Sequence, residues 1–184
     1  LSEFNRVMRE HINFGFVGIG LIGGSIAKAL RRVYPSCKII VYNRSAEPRV
    51  MAINDGTANV AVPQVDKTFN ECDYIFLCTP VEKNVEYLKI LKDIIKDDCI
   101  ITDVGSVKGN IHKAVEELGL KKNFIGGHPM AGSEKTSYTY ANDRLVENAY
   151  YAITPTDAVS KERVEEFTEI VQGIGAIPIN ISYE

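Results

Sequence analysis

The chain has 184 residues, 45% of them hydrophobic and 24% charged, which is the make-up of an ordinary soluble globular domain with a buried core. Its 21 basic and 24 acidic side chains leave a formal charge of -3, and no basic run is present to follow a phosphate backbone, so nucleic acid is not expected as a partner. No apolar stretch reaches the roughly 18 residues needed to cross a bilayer, and the polar start "LSEFNRVMREHIN" lacks a signal-peptide core, so no membrane partner is expected and the location expected is cytoplasmic.

In chain order, a leading segment (1 to 12) runs into a strand, "INFGFVG" at 12 to 18. A glycine-rich turn follows, then a helix over 21 to 33 with Ile22, Ile26, Leu30 and Val33 on one face. "KIIVY" (38 to 42) is the second strand. Ser45, as N-cap, and Pro48 open a helix that Asp55-Gly56 ends. "YIFLCT" (74 to 79) and "CIITDV" (99 to 104) are strands, separated by a helix over 82 to 95 with Val85, Leu88, Leu91 and Ile95 inward. Ile111, Val115 and Leu118 mark the next helix, and "NFIGG" (123 to 127) the next strand. Residues 131 to 149 fit neither period and read as a long polar loop before "YYAIT" (150 to 154). A last helix places Val164, Phe167 and Val171 together, and "AIPINI" (176 to 181) closes the series. Strands alternating with helices predict an α/β fold with a Rossmann-type, doubly wound, mainly parallel sheet. Cys37, Cys72, Cys78 and Cys99 form no CxxC pair, so neither a disulfide nor a metal site is expected.

Gly18-Ile19-Gly20-Leu21-Ile22-Gly23 reads G-x-G-x-x-G between a strand and an amphipathic helix, the arrangement that binds dinucleotides. Gly18 permits the tight turn, Gly20 admits a pyrophosphate, and Gly23 lets helix and strand pack; Leu21 and Ile22 offer helix N-terminal N–H groups. Residues 13 to 184 are accordingly expected to make one dinucleotide-binding domain. After the second strand the sequence is Asn43-Arg44-Ser45, with no acid to bind the ribose 2'-OH of NAD and an arginine suited to the 2'-phosphate of NADP. These residues favour NADP, with NAD as the alternative.

Ligands of open α/β sheets lie outside the carboxyl ends of the strands. Three such ends carry chemistry: Thr79-Pro80, where a ribose would pass; Gly105-Ser106, with Ser106 expected to cap the helix that follows; and "GGHPMAGSE" at 126 to 134. That last stretch is too rich in glycine for the inside of a strand or helix, and it presents His128 with Pro129 to aim it. Histidine is the side chain best able to exchange a proton near neutral pH. His11 and His112 are expected to be solvated.

Together "GFVGIGLIGGSIA", "TDVGSVK" and "GGHPMAGSE" resemble the prephenate and arogenate dehydrogenase family of tyrosine biosynthesis, from about residue 13 to the end of the chain. The resemblance implies oxidative decarboxylation of prephenate to 4-hydroxyphenylpyruvate, with hydride passing from the ring carbon that carries the hydroxyl to NAD or NADP. It makes His128 the catalytic base for that hydroxyl and Ser106 the residue that orients the histidine and touches the same hydroxyl. Ser133 and Glu134 fall on the substrate side. It further implies a homodimer built by a helical C-terminal domain that is absent from this chain, so 184 residues alone are expected to bind dinucleotide and be catalytically incomplete. Two other readings stay open: a β-hydroxyacid dehydrogenase or imine reductase relative, and a non-catalytic dinucleotide-sensing module.

Overall fold

The computed structural model describes residues 11 to 181. Five parallel strands form the main sheet in the order β3-β2-β1-β4-β5, built from β1 (Asn13–Val17), β2 (Lys38–Tyr42), β3 (Val60–Val62), β4 (Tyr74–Leu77) and β5 (Ile100–Asp103). A second sheet has the order β6-β7-β8, from β6 (Ile125–Pro129), β7 (Tyr150–Pro155) and β8 (Ile177–Asn180). A parallel bridge between Ile101 and Phe124 links the two. The helices are α1 (Leu21–Val33), α2 (Ala46–Asn54), α3 (Val81–Leu91), α4 (Gly109–Glu117) and α5 (Lys161–Gly173).

Strand alternation divides the core. Phe14, Phe16, Ile39, Val41, Tyr74 and Phe76 point to the face covered by α1 and α5, where they meet Ile26, Leu30 and Phe167. Val17, Ile40, Ile75 and Leu77 point the other way, toward Leu88 and Leu91 of α3 and Ile111 and Val115 of α4. Phe16 and Phe76 stack across β1 and β4 with centroids 4.9 Å apart, which fixes the register at the middle of the sheet. The predicted doubly wound architecture is the observed one, because the central strands β1, β2 and β4 are buried on both faces and need a helix on each.

Several local expectations are corrected. β3 was not foreseen: Val60, Ala61 and Val62 are half-buried at the sheet edge and cut short before Pro63. Gly126 and Gly127 lie in β6 as expected, and the strand runs on through His128 and Pro129, which lie inside it and not in a turn after it. The glycines are needed there because β6 presses on its neighbours: a Cβ on Gly127 would stand 2.8 Å from the Asp103 carbonyl oxygen, and one on Gly126 2.3 Å from Thr154 Oγ1. β6 and β7 are antiparallel: the segment between them holds one short 3-10 turn, Tyr138–Tyr140, and no α-helix to make a parallel crossover. α3 stops at Leu91, short of Ile95. His112 is buried rather than solvated, edge-on to Phe124 at 5.3 Å, and burial lowers its pKa against the pull of Asp103. His11 is exposed, and the leading segment before it lies outside the described residues.

Candidate active site

The glycine-rich turn is built as its spacing requires. Gly18 has φ +93, a left-handed conformation that disfavours any side chain, and a Cβ there would meet Thr79 Cγ2 at 2.8 Å. A Cβ on Gly23 would stand 2.5 Å from the Gly18 carbonyl oxygen, so α1 can reach the turn only without one. α1 starts from Gly20 with no side-chain cap and no acidic residue in its first turn. Among the described residues the N–H groups of Ile22 and Gly23 make no hydrogen bond, which fits an anionic pyrophosphate at this end of the helix. The Leu21 N–H, expected to face phosphate, instead donates to the Thr136 carbonyl at 3.0 Å. The polar loop therefore reaches across and sits on the turn.

The neighbouring positions sort by what they hold. Asn43 Oδ1 accepts from Ile19 N–H at 3.1 Å and its amide donates to the Ser45 carbonyl at 3.2 Å, so Asn43 fastens the glycine turn to the end of β2. Arg44 is exposed and makes no hydrogen bond or ion pair among the described residues. Ser45 occupies the N-cap of α2 in extended conformation without a side-chain cap bond. Thr79 Oγ1 donates to Asn84 Oδ1 at 2.5 Å, and Pro80 caps α3, so this strand end is braced by its own helix.

His128 pairs with Ala152 of β7 and is half-buried. Its Nδ1 is enclosed and has no hydrogen-bond partner among the described residues, which leaves Nε2 as the nitrogen open to a ligand. Ser106 is exposed in the turn between β5 and α4. It does not cap α4, as the sequence suggested, because α4 begins later, at Gly109 with Lys108 as its N-cap residue. No hydrogen bond joins Ser106 to His128 among the described residues. What ties their two segments together is a pair that sequence reasoning passed over. Asp103, 1% exposed at the end of β5, forms an ion pair with Lys108 at 2.7 Å and accepts from the N–H groups of Gly127 at 3.1 Å and Gly105 at 3.3 Å. Lys108 also donates to the Gly127 carbonyl. Burial pushes the Lys108 ammonium below its ordinary value, and the Asp103 carboxylate opposes that shift. In the sequence "TDVGSVK" shows only an acid ending an apolar strand and a lysine five residues on, a pattern that ordinary surface residues share.

Past His128 the chain turns outward. Ser133 Oγ accepts from Lys135 N–H at 3.0 Å, and Glu134 is exposed with no partner among the described residues. The loop is pinned further on by Tyr138, whose hydroxyl donates to Asp55 Oδ2 at 2.7 Å and whose ring lies under Lys28. Gly24 makes room for that ring: a Cβ there would stand 2.6 Å from Tyr138 Cδ2. Among the described residues no group of three or more His, Cys, Asp or Glu is placed to hold a metal ion, and the four cysteines are free.

The family model for the nucleotide-binding domain of prephenate dehydrogenase matches residues 26 to 180. A prephenate dehydrogenase of Bacillus subtilis is 35% identical over 169 residues, covering 91% of this chain and 46% of its own length. A solved prephenate dehydrogenase of Aquifex aeolicus, in complex with hydroxyphenyl propionate and NAD+, superposes with a TM-score of 0.86 at 34% identity, covering 93% of this chain and 60% of that one. The Synechocystis arogenate dehydrogenase superposes equally well, TM-score 0.86 at 30% identity, again covering 60% of that chain. The chain thus spans about half to three-fifths of these relatives, and it belongs to the prephenate dehydrogenase family as its nucleotide-binding domain.

Proposed function

We propose that the protein carrying this chain oxidises and decarboxylates prephenate to 4-hydroxyphenylpyruvate in tyrosine biosynthesis, as a cytoplasmic homodimer. The observation that supports it most is His128, whose accessible nitrogen stands at the carboxyl edge of a sheet whose neighbouring turn offers unpaired N–H groups to a pyrophosphate. Gly18, Gly20, Ile22, Gly23, Asn43, Arg44, Ser45, Thr79, Pro80 and Gly105 would hold NAD or NADP, and its nicotinamide accepts hydride when bound.

His128 Nε2 accepts the proton of the substrate hydroxyl as that carbon gives up its hydrogen. A base aligned with an alcohol proton contributes about 10²- to 10⁴-fold to such a step. Ser106, with a free hydroxyl, serves the same substrate oxygen or the ring. Ser133 and Glu134 lie on the substrate side of the loop. Arg44, unpaired beside the end of β2, suits the 2'-phosphate of NADP. Arg44→Ala should raise the KM for NADP about tenfold, the worth of one charge-assisted contact, and leave that for NAD nearly unchanged; an equal effect on both cofactors would place Arg44 outside the 2' subsite.

The test of the reading is nicotinamide reduction by the full-length protein offered prephenate, arogenate or a 3-hydroxy acid. Turnover with prephenate or arogenate alone is the expected result. Turnover only with the 3-hydroxy acid, or with none, contradicts it.

A further inference from the structure

We propose that Asp103 and Lys108 are positioning residues that set the direction of the His128 ring by gripping both backbone polar groups of Gly127. The inference rests on the catalytic role proposed for His128 but concerns residues outside it.

The geometry begins with where β5 and β6 part. They are bridged at Ile101 and Phe124, and Asp103, two residues past Ile101, meets Gly127, three past Phe124, through its side chain instead. Gly127 N–H donates to Asp103 Oδ1 at 3.1 Å, and Lys108 Nζ, 2.7 Å from both carboxylate oxygens, donates to the Gly127 carbonyl. That carbonyl belongs to the peptide plane leading into His128. Lys108 therefore fixes the plane from which the ring's Cα projects, and Asp103 fixes the plane before it. A second observation shows why the backbone has to do this. His128 Nδ1 is enclosed with no partner among the described residues, so no side-chain hydrogen bond steers the ring. The same carboxylate holds Gly105 N–H at 3.3 Å, so the turn bearing Ser106 is tied at both ends to the residue before His128. One pair thereby sets the relative placement of both predicted catalytic side chains. Stability alone does not account for it, because a buried ion pair contributes little more than an apolar pair of equal volume.

The test uses full-length protein with Asp103→Asn, Lys108→Met and the double variant. Each single change strands a buried group and lowers Tm. The double variant removes both charges, so its Tm should return toward the wild-type value while kcat with prephenate stays about 10- to 100-fold down, with cofactor Kd within about twofold of wild type. The His128 ring resonance, assigned by its loss in His128→Asn, should shift in the double variant while that of the exposed His11 holds. Recovery of kcat together with Tm, or an unmoved His128 resonance, overturns the positioning role. A wild-type protein inactive on prephenate instead overturns the functional reading, and the ring resonance then decides the positioning role by itself.

Discussion

At Gly127 the space between two strands is smaller than a methyl group, and much of the site depends on that. A Cβ would meet the Asp103 carbonyl oxygen at 2.8 Å and Thr102 Oγ1 at 3.0 Å, and the first of these is backbone that cannot swing aside. Gly127→Ala should cost about 1–3 kcal/mol of stability by forcing β5 and β6 apart, read as a lower denaturant midpoint at unchanged slope; wild-type stability would mean that the strands part freely. His128 stood out in the sequence as an ionisable ring among glycines, whereas Ser106 read from the residues as a helix cap and drew a catalytic role only from the family resemblance. Asp103 and Lys108 were not, since an acid at a strand end and a lysine heading a helix look like ordinary surface residues. Only the approach of β6 to β5, a non-local event, buries them. The same approach buries His112, which its own helix pattern presents as a polar position.

At the scale of elements, the polar loop is the part whose behaviour matters most. It bonds Leu21 N–H through Thr136 and is anchored by Tyr138 on Asp55 and Thr57, just past the end of α2. Tyr138→Phe removes a hydrogen bond to a carboxylate and should cost about 1.5–3 kcal/mol, with loop amides 136 to 141 losing protection from hydrogen exchange first; unchanged protection would place the anchor elsewhere. Burial raises the Asp55 pKa, but hydrogen bonds from Lys28, Thr57 and Tyr138 outweigh it and hold the carboxyl below its ordinary value. A lowered pKa stabilises the fold above the ordinary carboxylate range, and that contribution is lost as pH falls through the depressed value, below about 4. The stability gap between wild type and Asp55→Asn should therefore close on acidification; a gap that stays constant from about pH 6 to about pH 3 would contradict the anchor. The antiparallel β6–β7 pairing was also readable in principle. A connection without helical period cannot make the crossover that parallel neighbours need. β3 was not readable, because three half-buried residues at an edge carry too little pattern.

Across the whole molecule, the glycine turn, the ends of β2, β4 and β5, and the His128 end of β6 face one side of the sheet, because β6 enters parallel to β5. The two halves of the main sheet diverge between β1 and β4, where such folds place their ligand. The dinucleotide face is thus contained in this chain. NAD or NADP at about 100 times its Kd should stabilise the isolated chain by about 2.7 kcal/mol, seen as a Tm that climbs with the logarithm of cofactor concentration; a flat Tm would remove the cofactor site.

The central claim is that the His128 ring does chemistry on a substrate beside that cofactor. It is tested most directly by comparing wild-type and His128→Asn full-length protein for prephenate-dependent nicotinamide reduction and for cofactor Kd. The account predicts kcat reduced at least about 10²-fold with cofactor affinity unchanged. Retained turnover, or loss of turnover and cofactor affinity in equal measure, would contradict it.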